Sequence, residues 1–230
     1  MMKLVIISDI HGNHDALRAL PEEYDELWVL GDLVNYGPQP KEVVAEVMAK
    51  ASLVVQGNHD NAVAYDDDSR WSARYRPIAE ATRRFTSSVL SDAQKAYLRG
   101  LPLQAQAERD GLLFHLTHAT PSDPLYGRCA TEAEGWAAEL DALPADVLLV
   151  GHTHVPFLRR IGDKVVLNPG SLGQPRTGVP LASYAVWQDG RFALKSYRYP
   201  VEATVEKLRG LALPGHVESE LVSILETGSV

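Results

Sequence analysis

Three short apolar runs alternate with two helical stretches inside the first sixty residues, and each run stops abruptly on polar, ligand-bearing residues. Leu4–Ile7 leads into Ser8-Asp9-Ile10-His11, Leu27–Leu30 into Gly31-Asp32, and Leu53–Val55 into Gly57-Asn58-His59-Asp60. Runs of this length, β-branched and bounded by turn residues, read as buried strands. The first intervening helix spans about Asn13 to Leu20 and is stopped by Pro21; the second runs from Lys41 to Lys50 with an apolar stripe of Val43, Val44, Val47 and Met48. Strands alternating with helices demand a parallel arrangement, and parallel α/β sheets present their functional groups at the carboxyl ends of the strands.

Two further polar blocks follow the same rule. His118 closes the strand pattern Leu112–His118, and Gly151-His152-Thr153-His154 follows Val147–Val150. Side chains two apart on a strand share a face, so Asp9 with His11, and His152 with His154, are each expected to reach a common point. Asp32 follows a glycine and can approach closely enough to bridge two ions, while Asn58 offers a neutral oxygen. Mixed nitrogen and oxygen donors suit two divalent transition-metal ions, manganese first, with iron, cobalt, nickel or zinc also compatible. A pair of such ions clamps phosphate oxygens and makes hydroxide from water at neutral pH.

The rest of the chain completes the architecture. After a polar turn at Asp66-Asp67-Asp68-Ser69, a helix is expected from about Ser72 to Leu90 with Ile78, Ala81, Phe85 and Val89 on one stripe. Ser91 is set to cap another helix reaching Leu98. These form a helical insertion near 61–105, placed directly after one ligand-bearing turn. A helix near Thr131–Leu140 precedes the strand Val147–Val150. Two hairpins follow, Phe157–Ile161 with Lys164–Leu167 around Gly162-Asp163, and Ser183–Trp187 with Arg191–Tyr199 around Asp189-Gly190. Helices over Val201–Arg209 and His216–Leu225 close the chain. The expected organisation is a single domain over 1–230 with two packed sheets.

Composition sets outer limits. The 230 residues carry a formal charge of −8, which argues against a broad nucleic-acid or anionic-membrane surface but not against an anionic substrate held on metal ions. Cys129 is the only cysteine, so no intrachain disulfide forms. The leading apolar run is four residues, too short for a signal peptide, and no segment has the length of a membrane span. A cytoplasmic location is expected. Oligomeric state is open, with room for a homo-oligomer.

The order and wording of the five blocks resemble the calcineurin-like metallophosphoesterases, whose pattern is D-x-H, G-D, G-N-H-[DE], H and G-H-x-H. The resemblance spans nearly the whole chain. It implies an α/β, four-layer αββα sandwich of two mixed β-sheets flanked by helices, with a dinuclear centre at the sheet edges. By this likeness Asp9, His11 and His154 hold one metal, Asn58, His118 and His152 hold the other, and Asp32 bridges them. His59 is then a general acid that protonates the leaving oxygen while a metal-bridging hydroxide attacks phosphorus from the opposite side. His14, His115 and His216 are expected to be structural or solvated.

The stretch after the bridging aspartate separates branches of the family. Protein phosphatases resemble G-D-x-V-D-R-G there, whereas this chain has Gly31-Asp32-Leu33-Val34-Asn35-Tyr36-Gly37. Asn35 stands where an acid orients the histidine, and is expected to accept a hydrogen bond from the His59 ring. Tyr36 stands where an arginine grips phosphate, so phosphoprotein hydrolysis is disfavoured. Together with Asn168-Pro169-Gly170-Ser171 and Gln174-Pro175-Arg176, the wording is similar to a small prokaryotic phosphodiesterase and diadenosine tetraphosphatase-like branch. That implies small phosphodiesters or dinucleoside polyphosphates as substrates, with no stable nucleic-acid partner. Asn35, Tyr36 and Arg176 are the candidate substrate contacts. The competing readings are a phosphomonoesterase or protein phosphatase of the same fold, a nuclease, and a non-catalytic metal-binding scaffold.

Overall fold

The computed structural model describes residues 2–67, 69–71, 73–131 and 134–230. Two five-stranded mixed sheets pack face to face. In the first, β1 (Lys3–Ile7), β2 (Glu26–Val29) and β3 (Leu53–Val54) run parallel, and β9 (Ala182–Gln188) and β10 (Arg191–Tyr197) add antiparallel on the other side of β1, giving the order β10-β9-β1-β2-β3. In the second, β4 (Gln104–Arg109), β5 (Leu112–Thr117), β6 (Val147–Leu149), β7 (Phe157–Ile161) and β8 (Lys164–Asn168) take the order β4-β5-β6-β8-β7, with β5, β6 and β8 parallel.

The period of two along β1 explains the layering. Leu4 and Ile6 enter the core between the sheets with Trp28, Phe114, Leu149 and Trp187, while Val5 and Ile7 face α1 (His14–Arg18) and α2 (Pro40–Lys50) through Leu17, Val43, Val44 and Val47. Both faces of β1 are therefore dry, which is why its sequence is continuously apolar rather than alternating. On the outer face of the second sheet, Trp136 and Leu140 of α6 (Gly135–Asp141) pack on Leu148, Val150 and Val166. The αββα sandwich implied by the motif pattern is the observed fold.

The region after β3 differs in detail from expectation. The Gly57–Asp60 block is not a free turn: it opens α3 (Asn58–Tyr65), with Gly57 as N-cap. α4 is Arg76–Val89, whereas Ser72, the expected start, lies outside the described residues, as does Asp68 of the polar turn. α4 buries Ile78, Ala79, Thr82, Arg83 and Thr86, so the stripe is rotated from the expected one and Val89 is exposed. Met48 is likewise exposed, at the edge of the α2 stripe. Ser91 caps α5 (Asp92–Gly100), its hydroxyl accepting from the Gln94 N–H while the Gln94 side chain returns to the Ser91 N–H. The helix expected near Thr131–Leu140 runs partly through 132 and 133, which are outside the described residues. β4 is an edge strand that the apolar pattern did not announce, because its residues alternate only weakly in burial.

α7 (Val201–Arg209) and α8 (Gly215–Thr227) form a helical pair whose Val205, Leu208, Val217, Leu221 and Leu225 share a cluster with Tyr36, Trp71, Ile78 and Ala79. This cluster backs one wall of the site described next.

Candidate metal centre and cleft

The seven candidate ligands come from both sheets and meet at their shared carboxyl-terminal edge. Asp9, His11, Asp32 and Asn58 follow β1, β2 and β3, and His118, His152 and His154 follow β5 and β6. Strand alternation does not bring them together, since β1 has ended by Ile7. The backbone instead turns at the ligands themselves: Asp9, His11, Asp32, His152 and His154 all have positive φ, between 47° and 64°. A left-handed conformation at a residue with a Cβ costs roughly 1–2 kcal/mol, so five such positions at one centre mark a site whose geometry is imposed by the surrounding fold.

Hydrogen bonds to main-chain carbonyls orient three of the imidazoles. The Nδ1–H of His11 donates to Val34 O at 3.0 Å, that of His118 to Leu30 O at 2.7 Å, and that of His154 to Gln174 O at 2.6 Å. With Nδ1 so engaged, each neutral ring directs an Nε2 lone pair into the centre. The Nε2 atoms of His11 and His154 are 3.2 Å apart, and His154 Nε2 lies 3.3 Å from Asp9 Oδ1. His11 Nε2 is 3.8 Å from Asp9 Oδ1 and 3.6 Å from Asp32 Oδ2. Neighbouring donors around a cation with bonds of about 2.1 Å are about 3.0–3.4 Å apart, so this set fits a shell only slightly larger than ideal. Asp9 Oδ1 is buried without a hydrogen-bond partner among the described residues, as a donor reserved for a cation is.

A second set adjoins the first. His118 Nε2 lies 3.3 Å from Asp32 Oδ2 and 3.1 Å from Asn58 Oδ1, and His152 Nδ1 lies 3.1 Å from the same Asn58 oxygen. Asp32 Oδ2 therefore faces both His11 and His118, while its Oδ1 accepts the His59 N–H at 2.9 Å. Among the described residues, two sets of donor atoms lie close enough together to share an ion, Asp9–His11–His154 and Asp9–Asp32–His118, so Asp9 as well as Asp32 stands where two ions would adjoin. The donor chemistry and the spacing fit a pair of divalent ions.

Electrostatics follow from burial without a cation. Desolvation drives His11 and His154 well below the ordinary imidazole range. Burial and the neighbouring His118 push His152 down to about 3. His118 goes the other way: burial lowers it, but the Asp32 and Asp9 carboxylates outweigh that and raise it to about 9. Asp32 answers with a carboxyl held well below its usual range, its burial outweighed by His118 and His59.

Asp60 is the residue whose role the sequence did not reveal. Its buried carboxylate accepts the N–H groups of Asp32 and Gly57 on Oδ2, at 2.8 and 3.0 Å, and that of Leu33 on Oδ1 at 2.8 Å. It thus ties the β2 turn to the start of α3 and sets the Asp32 backbone. Burial and the charge of Asp32 push its pKa up to about 7 against the pull of those donors. The close approach of the two turns also requires Gly57, where a Cβ would lie 2.1 Å from Asp32 Oδ1 and 2.3 Å from Asp32 N.

His59 stands beside the cluster. Asn35 donates Nδ2–H to His59 Nδ1 at 2.9 Å, the reverse of the expected direction, so the neutral ring carries its proton on Nε2. The ring is packed by Tyr36 at 4.6 Å, His11 at 5.0 Å and Trp71 at 5.6 Å between centroids. Burial lowers its pKa, with Asp32 opposing. The Asn168–Ser171 loop supports the floor: Asn168 Nδ2–H donates to Gly151 O and Ser171 Oγ–H to Asp9 O. Of the remaining histidines, His14 pairs with Glu46 at 2.7 Å and His115 is buried beside Gln106.

A cleft of about 270 Å³ opens over this floor of Asp32, Asn58, His59, His152 and His154. Its walls are Tyr36, Arg70, Trp71, Tyr75, Tyr126, Arg128 and Arg176. Tyr36 and Arg176, both expected near substrate, do line it; Asn35 lies behind His59 and reaches the cleft only through that ring. Arg74 lies 5.2 Å over the Tyr75 ring and does not line the cleft. Trp71, Tyr126 and Arg128 gave no sequence signal, since each lies in an irregular segment outside the ligand motifs.

A buried, two-sheet cluster of imidazole and carboxylate donors beneath a cleft lined with cations defines a metal-dependent hydrolase of phosphoric esters. The chain belongs to the calcineurin-like phosphoesterase superfamily, whose domain matches residues 2–188. A metallophosphoesterase from Sphaerobacter thermophilus superposes with a TM-score of 0.82 at 30% identity, covering 96% of this chain and 98% of the other. Phosphodiesterase YfcE of Escherichia coli K12 is 28% identical over 205 residues, 81% of this chain and 87% of that one. A symmetrical bis(5'-nucleosyl)-tetraphosphatase of Nitrosococcus oceani is 40% identical over 181 residues, 72% of this chain and 58% of that enzyme. The protein is a phosphoester hydrolase of a family that uses divalent metal ions. No helix among the described residues is long and apolar enough to cross a membrane.

Proposed function

We propose that the protein is a dinuclear metal-dependent phosphodiesterase that hydrolyses small phosphodiesters or dinucleoside polyphosphates. One observation carries the reading. The His11 and His154 Nε2 lone pairs face each other at 3.2 Å while both Nδ1–H groups are committed to carbonyls, an arrangement that is repulsive without a cation between them. In this reading Asp9, His11 and His154 hold one ion, Asn58, His118 and His152 the other, and Asp32 serves both. The ions, manganese first, supply a water of lowered pKa and a clamp on the phosphoryl oxygens.

The chain's own groups do the rest. His59 turns Nε2 toward the cleft and, as the imidazolium, hands a proton from it to the leaving oxygen, with Asn35 fixing the ring by turning its buried Oδ1 to accept from Nδ1–H. A dianionic or monoanionic phosphoryl group arriving beside the ring raises its proton affinity, countering the burial that lowers it. Arg176 lies close enough to depress His154 and His59, and takes charge from the non-bridging oxygens. Tyr36 walls the site and keeps water from the far side of His59. The names of the relatives, a phosphodiesterase and a dinucleoside tetraphosphatase, support the substrate class. A cytoplasmic location belongs to the same proposal.

The test is hydrolysis of bis-p-nitrophenyl phosphate by protein stripped with chelator and then reloaded with manganese, alongside metal analysis. Turnover that is lost on stripping and regained on reloading, with about two ions per chain, is expected. A scaffold predicts no turnover in either state, and a single-ion stoichiometry with full activity would overturn the dinuclear assignment.

A further inference from the structure

The His59 ring is tied by a hydrogen bond at one edge, where Asn35 meets Nδ1 at 2.9 Å. That partner is a neutral amide, which grips an imidazole less firmly than the charge-assisted bond of a carboxylate would. One such bond is a weak hinge, about which the ring can swing on its Cβ–Cγ axis and carry Nε2 off its aim. Its faces have to be held by packing.

Three rings pack on His59, and they do different work. His11 stands edge-on at 86° and belongs to the metal cluster, and Tyr36 is tilted by 60°. Trp71 lies nearest to parallel, with 30° between planes and centroids 5.6 Å apart, the range of an offset stack. A near-parallel neighbour is the one that opposes rotation, because the swing drives an imidazole edge into the indole. Trp71 lies in the segment joining α3 to α4, outside every ligand motif, yet it is 7% exposed and lines the cleft. Its Nε1 is buried with no partner among the described residues, a cost that Phe or Leu in the same space would not carry.

The indole is seated from two directions. It shares an apolar cluster with Ile78 and Ala79 of α4, Leu208 of α7 and Leu221 of α8, and its carbonyl accepts Nη2–H of Arg76 at 3.2 Å. Its neighbour Arg70 reaches Asp123, in the loop after β5, at 2.6 and 3.2 Å and lies 4.2 Å over the Tyr126 ring. The helical insertion, the carboxyl-terminal helix pair and the loop after β5 thus converge on the residue stacked against His59.

We propose that Trp71 is the positioning residue of the general acid: its flat face keeps the His59 ring turned so that Nε2 meets the leaving oxygen. This rests on the role of His59 given under the proposed function and gives the helical insertion a part in it. The step served is proton delivery. The bond between phosphorus and the leaving oxygen breaks, its electron pair stays on that oxygen, and the Nε2 proton joins it, leaving the ring neutral. Water supplies the oxygen that phosphorus gains.

A misaimed acid matters little when the leaving group departs easily and much when it departs poorly. The manganese-loaded full chain is therefore assayed on bis-p-nitrophenyl phosphate and on diphenyl phosphate, whose phenol is the poorer leaving group. The readout is the ratio of kcat/KM for the phenyl ester to that for the nitrophenyl ester. Trp71→Leu keeps the apolar bulk of the cluster without a flat ring and should lower the ratio about tenfold, whereas Trp71→Phe keeps a ring and should stay within about threefold of wild type. His59→Ala should lower the ratio at least as far, and adding Trp71→Leu to it should lower the ratio no further, since the indole acts through that imidazole. A general loosening of the cleft would slow both esters alike. An unchanged ratio in Trp71→Leu, or an equal fall with His59 already removed, overturns the inference and leaves His59 in its role. An unchanged ratio in His59→Ala overturns the general-acid reading, and the inference falls with it.

Discussion

Asp60 offers the sharpest test of how the site is held, because its work can be counted bond by bond. Its carboxylate satisfies three buried main-chain donors, the N–H groups of Asp32, Leu33 and Gly57, at 2.8, 2.8 and 3.0 Å. A buried donor left without a partner costs about 1–3 kcal/mol. Asp60→Ala strands all three, a gross loss of about 3–9 kcal/mol, part of which is returned because a desolvated charge is also removed. A net loss of roughly 2–6 kcal/mol is expected, a large share of the 5–15 kcal/mol that domains typically have. Asp60→Asn can keep its oxygen on the Oδ2 side, preserving two bonds and turning an amide N–H against Leu33 N–H, so its loss should be about 1–3 kcal/mol. Urea unfolding of the metal-free protein at pH 8, above the value of about 7 to which this carboxyl is pushed, measures both variants with wild type ionised. Metal content should fall in the same order, since Asp32 is fixed through these bonds. If both variants lie within about 1 kcal/mol of wild type, or lose equal amounts, the carboxylate is not the anchor argued here.

Other expectations are simpler to check. His59→Ala should lower kcat by roughly 10²–10⁴ with metal content unchanged by elemental analysis; loss of metal would mean the ring is a ligand. His118 carries a proton in the metal-free protein, its pKa raised to about 9, so its pairing with Asp32 stabilises fully below about 6.5 and fades as pH rises toward 9. Loading metal must expel that proton, and calorimetry in buffers of different ionisation enthalpy at pH 7.5 should find close to one proton released per chain from this group. Release of none would refute the assignment. Gly57→Ala should fail to assemble the centre, because a Cβ there meets Asp32 at 2.1–2.3 Å; a variant that binds two ions normally would show that the two turns are free to separate.

Much of the scaffold is legible in the sequence because β1, β2 and β6 each carry an unbroken apolar run, and β5 one interrupted at His115, that leads into a candidate ligand. The candidate metal donors are legible for the same reason: position at a strand end and residue type suffice to nominate Asp9, Asp32, His118 and His154. Geometry at the ligands was not, since the left-handed turns at Asp9 and His11 leave no trace in hydropathy and replace the strand alternation that the spacing suggested. The opening of α3 at Asn58 was hidden because Gly57 caps it without a side-chain oxygen. The weakly alternating edge strand β4 and the rotated stripe of α4 escaped because tertiary packing, not local pattern, decides which face is covered. The arginines and tyrosines of the outer cleft come from separate segments brought together by contacts such as Arg70 with Asp123, a pairing between residues 53 apart that no local pattern encodes.

Because four of the candidate donors follow strands of one sheet and three follow strands of the other, cations at this edge would rivet the two halves of the sandwich together. Sliding one sheet against the other by an ångström would stretch every bond in the shell, so loaded protein should resist shear and lose its two sheets in one step. Depleted protein, with like-facing lone pairs and crowded charges along the same seam, should open there first.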